Sequence, residues 1–186
     1  RALWYTKPGV AELKPQQLAV PAPDQVRVKT LFTAISRGTE RLIFSGQVGP
    51  SEYERMRAPL QDGSFPFPVK YGYCAVGTVD IGPGPLQDKT VFCLHPHQDV
   101  FNAPAAMVVP VPTNIPAKRA TLAANAETAL NALWDSGAGP GDRIVVIGAG
   151  IVGLMIASIA ARLPGAEVTV VDVDETKPRT VARGPL

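Results

Sequence analysis

A chain of 186 residues is long enough for one substantial domain or two small ones, and 46% hydrophobic residues is the content of a globular protein. A net charge of +2, with no basic run longer than two residues, leaves no footprint for nucleic acid or a membrane surface. Two cysteines, Cys74 and Cys93, exclude a cysteine-rich zinc module and a disulfide scaffold, and the expectation is two free thiols in a reducing cytoplasm.

Fifteen of the nineteen prolines and eleven of the twelve aromatic residues lie in 1–116. Proline is excluded from helix interiors and central strands, so this segment reads as short strands joined by turns. The opening RALWYTKPG has no apolar signal core, and nothing in it points to export. Val26–Thr30 alternates with period two, as do parts of 75–80 and 106–111, with turn signals such as Pro83-Gly84 between them. Residues 1–112 read as an all-β, barrel-like domain. One helix is expected to interrupt it, because Ser51 and Glu54 have capping-box spacing before Pro59 stops the turn.

After Pro116 the texture changes. Lys118–Ser136, rich in Ala and Leu, predicts a helix that ends at Gly137. A turn at Pro140-Gly141-Asp142 precedes a strand over Arg143–Ile147, a helix over Ile151–Leu163 and a strand over Glu167–Val173. That order is a parallel βαβ unit. Ile144–Ala161 carries no charge over 18 residues, but its glycines and β-branched start favour a buried strand turning into a buried helix over a membrane span. The tail ETKPRTVARGPL has no clear periodicity, and more of the sheet is expected beyond two strands.

Gly148-Ala149-Gly150-Ile151-Val152-Gly153 is G-x-G-x-x-G, set between the predicted strand and helix, with Asp172 nineteen residues after Gly153. Each part has a reason: a tight turn at Gly148, close approach of a pyrophosphate at Gly150, and helix–strand packing at Gly153. The helix N-terminus offers free N–H groups to the phosphates. Asp172 is placed to accept from both ribose hydroxyls and to repel a 2′-phosphate, which favours NAD over NADP.

A proline-rich β domain followed by this fingerprint resembles the medium-chain dehydrogenase/reductase superfamily, which includes the zinc alcohol dehydrogenases. The likeness runs from Ala2 to about Asp174, with RALWYTKPGVAEL similar to the family's opening strands and PGDRIVVIGAGIVGLMIA to its entry into the cofactor domain. The resemblance implies a GroES-like β-barrel over 1–116, a connecting helix and turn over 117–140, and the start of a Rossmann domain over 141–186. It places the dinucleotide in the cleft between domains. The family's Cys-Gly-Thr-Asp motif matches Ile35–Glu40, where Thr39 stands for the proton-relay Thr and Glu40 for the Asp, while Ser36 or Arg37 stands where the thiolate belongs. Its Gly-His-Glu motif matches Gly72-Tyr73-Cys74, so Tyr73 replaces the His ligand. The third ligand falls near Ala124, and the four-cysteine lobe after Cys93 is absent. Zinc needs three N, S or O ligands, so no metal is expected; His95 and His97 alone make a weak replacement pair.

Within the superfamily, ISRGTERLIFSG looks most like the zinc-free branch that includes bacteriochlorophyllide dehydrogenase. The resemblance implies a zinc-independent, NAD-dependent oxidoreductase acting on an alcohol or carbonyl. The alternatives are a quinone- or enoyl-type double-bond reductase and a non-catalytic dinucleotide-binding protein. Without a metal, Tyr73 and Thr39 are the expected hydrogen-bond donors, His97 the proton carrier, and Arg37 a group that orients an anion. Cys74 reads as a small buried residue. A small-molecule substrate, a cytoplasmic location and a homodimer complete the expectations, with no nucleic acid and no membrane.

Overall fold

The structure, a computed structural model, describes residues 1–174 and the backbone of 181–183. It divides into two compact units, Arg1–Ala123 and Ala124–Leu186. The first unit carries β1 (Ala2–Lys7), β2 (Val10–Lys14), β3 (Gln25–Thr33), α1 (Thr39–Phe44), β4 (Asp62–Gly63), β5 (Val69–Lys70), β6 (Ala75–Ile81), β7 (Thr90–Cys93), β8 (Val100–Pro104), β9 (Val108–Pro110) and α2 (Ala117–Ala120). Next come α3 (Ala123–Ser136), β10 (Arg143–Ile147), α4 (Ile151–Ala160), β11 (Glu167–Val171) and β12 (Val181–Arg183).

The first unit is built on two antiparallel sheets, ordered β2-β1-β5-β4 and β8-β3-β6-β7-β9. The alternation read at Val26–Thr30 buries Val26 and Val28 with Val79, Val91, Phe101 and Ala103 in one core. Each such valine or phenylalanine stabilises by about 1.5–3 kcal/mol relative to an exposed side chain. A second core joins Tyr5, Ile43, Val48, Val69 and Tyr71. Between Thr30 and Phe32, β3 slips by one residue against β6, so Leu31 is the extra residue of a bulge. Bulges re-aim the side chains around them, here those leading into Thr33.

Several expectations for this unit are corrected. Residues 50–52 form a 3₁₀ turn rather than a capped helix: Pro50 takes the first position, and no side chain caps the turn. Tyr53 and Met56 are instead drawn onto the second core. The helix α1 was not foreseen; its residues Glu40 and Ile43, three apart, face inward together. Residues 105–107 are a second 3₁₀ turn that delays β9 to Val108. The single helix expected over Lys118–Ser136 is two, α2 and α3. The buried Thr121 donates its hydroxyl to the Lys118 carbonyl at 2.8 Å, a side-chain bond that competes with continuation of the backbone ladder.

In the second unit β10 and β11 pair in parallel, from Arg143 opposite Glu167 to Ile147 opposite Val171. The strand–helix–strand order read in the sequence is therefore present, with α4 ending at Ala160 and β11 at Val171, earlier than expected. Leu133, Val146, Ala157, Ala160 and Val168 form the core. The strand expected to be buried is covered on one side: Val146 is buried, whereas Val145 and Ile147 are 63% and 87% exposed. The tail contributes a strand that its composition did not suggest, β12, antiparallel to β11. The rest of the tail, 175–180 and 184–186, lies outside the described residues. Among the described residues no helix is long and apolar enough to cross a membrane.

Candidate functional site

The glycine turn of the second unit gives each glycine a different reason. Gly148 has φ +104°, a conformation that side chains rarely adopt, and its N–H donates to the Val171 carbonyl at 2.6 Å. A Cβ on Gly153 would lie 1.9 Å from the Gly148 carbonyl oxygen, so the helix closes on the turn only with glycine there. Gly150 has an ordinary φ of −78°, and a Cβ there would meet no atom of the described residues within 4 Å. The open space lies at the start of α4, whose first amides lack helical partners. Asp172 binds the turn: one carboxylate oxygen accepts from the Ala149 N–H at 2.6 Å and the other from the Asp174 N–H at 2.9 Å.

The first unit holds a buried polar cluster centred on Glu40, which is 1% exposed. Its Oε2 accepts from the Tyr5 hydroxyl at 2.7 Å and pairs with His97 Nε2 at 2.7 Å, and its Oε1 accepts from the Ser36 N–H at 2.8 Å. Two donors, the Tyr5 hydroxyl and the Ser36 amide, thus reach the Glu40 carboxyl group, with His97 Nε2 at hydrogen-bond distance from the same oxygen as Tyr5. The other ring nitrogen of His97, Nδ1, bonds the Thr33 hydroxyl at 2.5 Å. The His97 carbonyl accepts from Leu3 N–H at 2.9 Å, tying the loop to β1. Gly72 leaves room for the imidazole, since a Cβ there would stand 3.0 Å from ring atoms Cδ2 and Nε2. Burial first, then the hydrogen bond to Glu40, pushes the Tyr5 phenol far above its ordinary value.

A groove of about 390 Å³ opens beside this cluster, lined by apolar Leu13, Leu31, Phe32 and Ile35 and by polar or charged groups that include Thr33, His97, Gln98, Arg1 and Asp99. Those four apolar side chains are all exposed.

The expected site residues fall into separate groups. Tyr73 donates to Thr39 Oγ1 at 3.4 Å, a long bond, and its ring meets Tyr71 edge-on at 6.1 Å. His97 joins the adjoining Glu40. Arg37 is exposed and makes no hydrogen bond or ion pair among the described residues. His95 takes no part: its ring stacks on Phe101 at 3.7 Å and Nδ1 bonds the Pro96 carbonyl, and burial lowers its pKa to about 4. Burial pushes the Cys74 thiol up to about 12, with Glu40 adding to the effect, so it is a buried unreactive residue as expected. Sequence reasoning missed Tyr5 and Thr33, which reach the cluster from distant strands and carry no local signature.

Residues 136–184 match the family model described as alanine dehydrogenase/PNT, C-terminal domain. Over 80 residues the chain is 40% identical to an uncharacterized zinc-type alcohol dehydrogenase-like protein of Haemophilus influenzae, covering 43% of this chain and 23% of that protein. A putative zinc-binding dehydrogenase of Clostridium scindens superposes with a TM-score of 0.74 at 17% identity, over 91% of this chain and 57% of that one. Escherichia coli quinone oxidoreductase, solved with NADPH, gives 0.70 at 21% identity, over 91% and 51%. The chain resembles the medium-chain dehydrogenase/reductase superfamily in sequence and in fold. It spans about half the length of these solved members.

Among the described residues no three His, Cys, Asp or Glu side chains gather as a metal site.

Proposed function

We propose that the chain is the β domain and the first part of the dinucleotide domain of a zinc-independent, NAD(H)-dependent oxidoreductase acting on an alcohol or carbonyl. The observation that carries this is the glycine turn Gly148–Gly153, which leaves the parallel strand β10, opens α4 and has Asp172 bound to its Ala149 amide. A strand, a glycine turn, a helix start and an acid at the end of the next strand are the arrangement that seats a dinucleotide. The amides of Ala149, Gly150, Ile151 and Val152 would hold the pyrophosphate, and Asp172, at the end of β11, would accept from the ribose hydroxyls. A carboxylate there repels a 2′-phosphate, which supports NAD. When bound, the nicotinamide supplies hydride transfer.

The chain's own residues do the remaining work. Glu40 orients the His97 ring through Nε2, which turns Nδ1 toward the Thr33 hydroxyl, and His97 is the residue proposed to carry the proton. Tyr73 and Thr39 offer hydroxyls to a substrate oxygen, and exposed Arg37 orients an anionic group. The likeness to quinone oxidoreductases supports a second reading, reduction of an activated double bond. The full enzyme is proposed to be a cytoplasmic homodimer. Calorimetry with NADH and NADPH tests the cofactor assignment: tighter NADH binding is expected, and the reverse order would overturn the role of Asp172. Metal analysis should show far less than one zinc per chain.

A further inference from the structure

We propose that Lys70 is a positioning residue for His97, which it holds through the side chain of Gln98. This rests on the reading of His97 as the proton carrier.

Lys70 is a charge where packing asks for none. It ends β5 between the buried Val69 and Tyr71 and is itself only 6% exposed. No other lysine or arginine among the described residues is buried. Taking an ammonium group out of water is costly, and an apolar side chain of similar length fills such a place without that cost. The charge is met on three sides. Nζ donates to Gln98 Oε1 at 3.2 Å, lies 3.5 Å from Asp62 Oδ2, and stands 6.0 Å from the centre of the Trp4 ring. Asp62 is exposed, so water screens that pair, whereas Gln98 is buried.

The Gln98 amide has one orientation open to it. An ammonium group only donates and a carbonyl only accepts, so Oε1 faces Lys70 and Nε2 donates to the Val100 carbonyl at 2.6 Å. The Gln98 carbonyl accepts in turn from the Thr30 hydroxyl at 2.5 Å. His97 is the preceding residue, and residues 70–72 meet 97–98 at three successive points. Lys70 reaches the Gln98 side chain, the Tyr71 carbonyl accepts from the His97 N–H at 3.4 Å, and the missing Cβ of Gly72 makes room for the His97 ring. The Tyr71 bond is long and the Gly72 contact only leaves space, so the bond from the charged Lys70 donor is the one that fixes position.

Position matters at this ring. Its nitrogens stand 2.7 Å from Glu40 Oε2 and 2.5 Å from Thr33 Oγ1, and a proton carrier works only while such distances are kept. Lys70 touches neither Glu40 nor Thr33; it acts through Gln98 and the backbone that follows His97.

NMR on the isotopically labelled 186-residue chain tests this, by the nuclear Overhauser contacts of the His97 ring with Tyr5 and Thr33. Lys70→Met should melt no lower than the wild type, because the charge it leaves behind, Asp62, is exposed. The His97 contacts should nevertheless weaken at least about twofold, the change expected from a shift of about 1 Å, which is enough to impair catalysis. Gln98→Met should weaken them equally, and Lys70→Met/Gln98→Met no further, since both changes break one link. Asp62→Asn should leave them as they are. The His95 ring, stacked on Phe101 at 3.7 Å, serves as the reference and should keep its contacts in every variant. Where Gln98→Met does not fold around the unmatched cation, the double variant, apolar at both places, carries the comparison with Lys70→Met. Unchanged His97 contacts in Lys70→Met, a further loss in the double variant, or an equal loss at His95 would overturn the inference. A Lys70→Met chain that does not fold would make the lysine a structural residue and overturn it too. The measurement involves neither dinucleotide nor turnover, so its failure leaves the oxidoreductase reading intact, and failure of the cofactor test leaves this result.

Discussion

Replacing Glu40 by Gln removes one charge and one acceptor from a buried site. In the native cluster Oε2 serves Tyr5 and His97 while Oε1 serves the Ser36 amide. A glutamine keeps one oxygen and turns an NH₂ group toward whichever donor lies opposite. If its oxygen faces Tyr5 and His97, the NH₂ group opposes the Ser36 N–H. If it is flipped, the NH₂ group opposes two donors. Hydrogen bonds to a charged group contribute about 1.5–3 kcal/mol each, and an unsatisfied buried donor costs about 1–3 kcal/mol. Tyr5 can rotate and accept, which recovers part of the loss, so the expected destabilisation is about 3 kcal/mol. For a chain of this size that lowers the melting temperature by about 6–12 °C. Urea unfolding of both proteins, followed by tyrosine fluorescence and circular dichroism, measures it. A loss below about 0.5 kcal/mol would refute the carboxylate as the hub of the cluster.

Three further outcomes follow from the same structure. His95 has its pKa lowered by burial to about 4 from an ordinary 6.5, so between those values the unfolded chain binds a proton that the folded chain does not. Stability should therefore fall as the pH drops from 6.5 to 4, by up to about 3 kcal/mol from this residue, and His95→Phe should flatten that slope; an unchanged slope would contradict it. Cys74 and Cys93, both buried with thiols pushed up to about 12, should resist a thiol reagent at pH 8 until the protein unfolds. Fast labelling of either would contradict the packing. Tyr73→Phe should lower turnover at least about tenfold if its hydroxyl contacts the substrate; unchanged kinetics would reduce Tyr73 to a packing residue.

The parts of this protein legible in the sequence are those written in local periodicity and spacing. The βαβ order around Gly148–Gly153 is one such part, because turn, strand and helix signals lie within thirty residues of one another. The alternation at Val26–Thr30 is another. The capping-box reading at Ser51 failed because a preceding proline and the pull of Tyr53 and Met56 onto the core outweighed a local pattern. The break at Thr121 turned on one hydroxyl bonding backward to Lys118. The polar cluster was only partly legible. His97 and Thr39 carried chemistry that could be read in isolation, but Tyr5, Thr33 and Glu40 acquire theirs from contacts across 35 to 64 positions of chain.

The central claim, a dinucleotide phosphate seated at the turn before α4, is tested most directly by Gly150→Ala. The backbone there suits any residue and the added methyl meets no atom of the described residues, so stability should change by less than about 1 kcal/mol. Calorimetric NADH affinity should nevertheless fall at least about tenfold, because the methyl stands where the phosphate approaches the backbone. Wild-type NADH affinity in a fully folded Gly150→Ala chain would contradict the account.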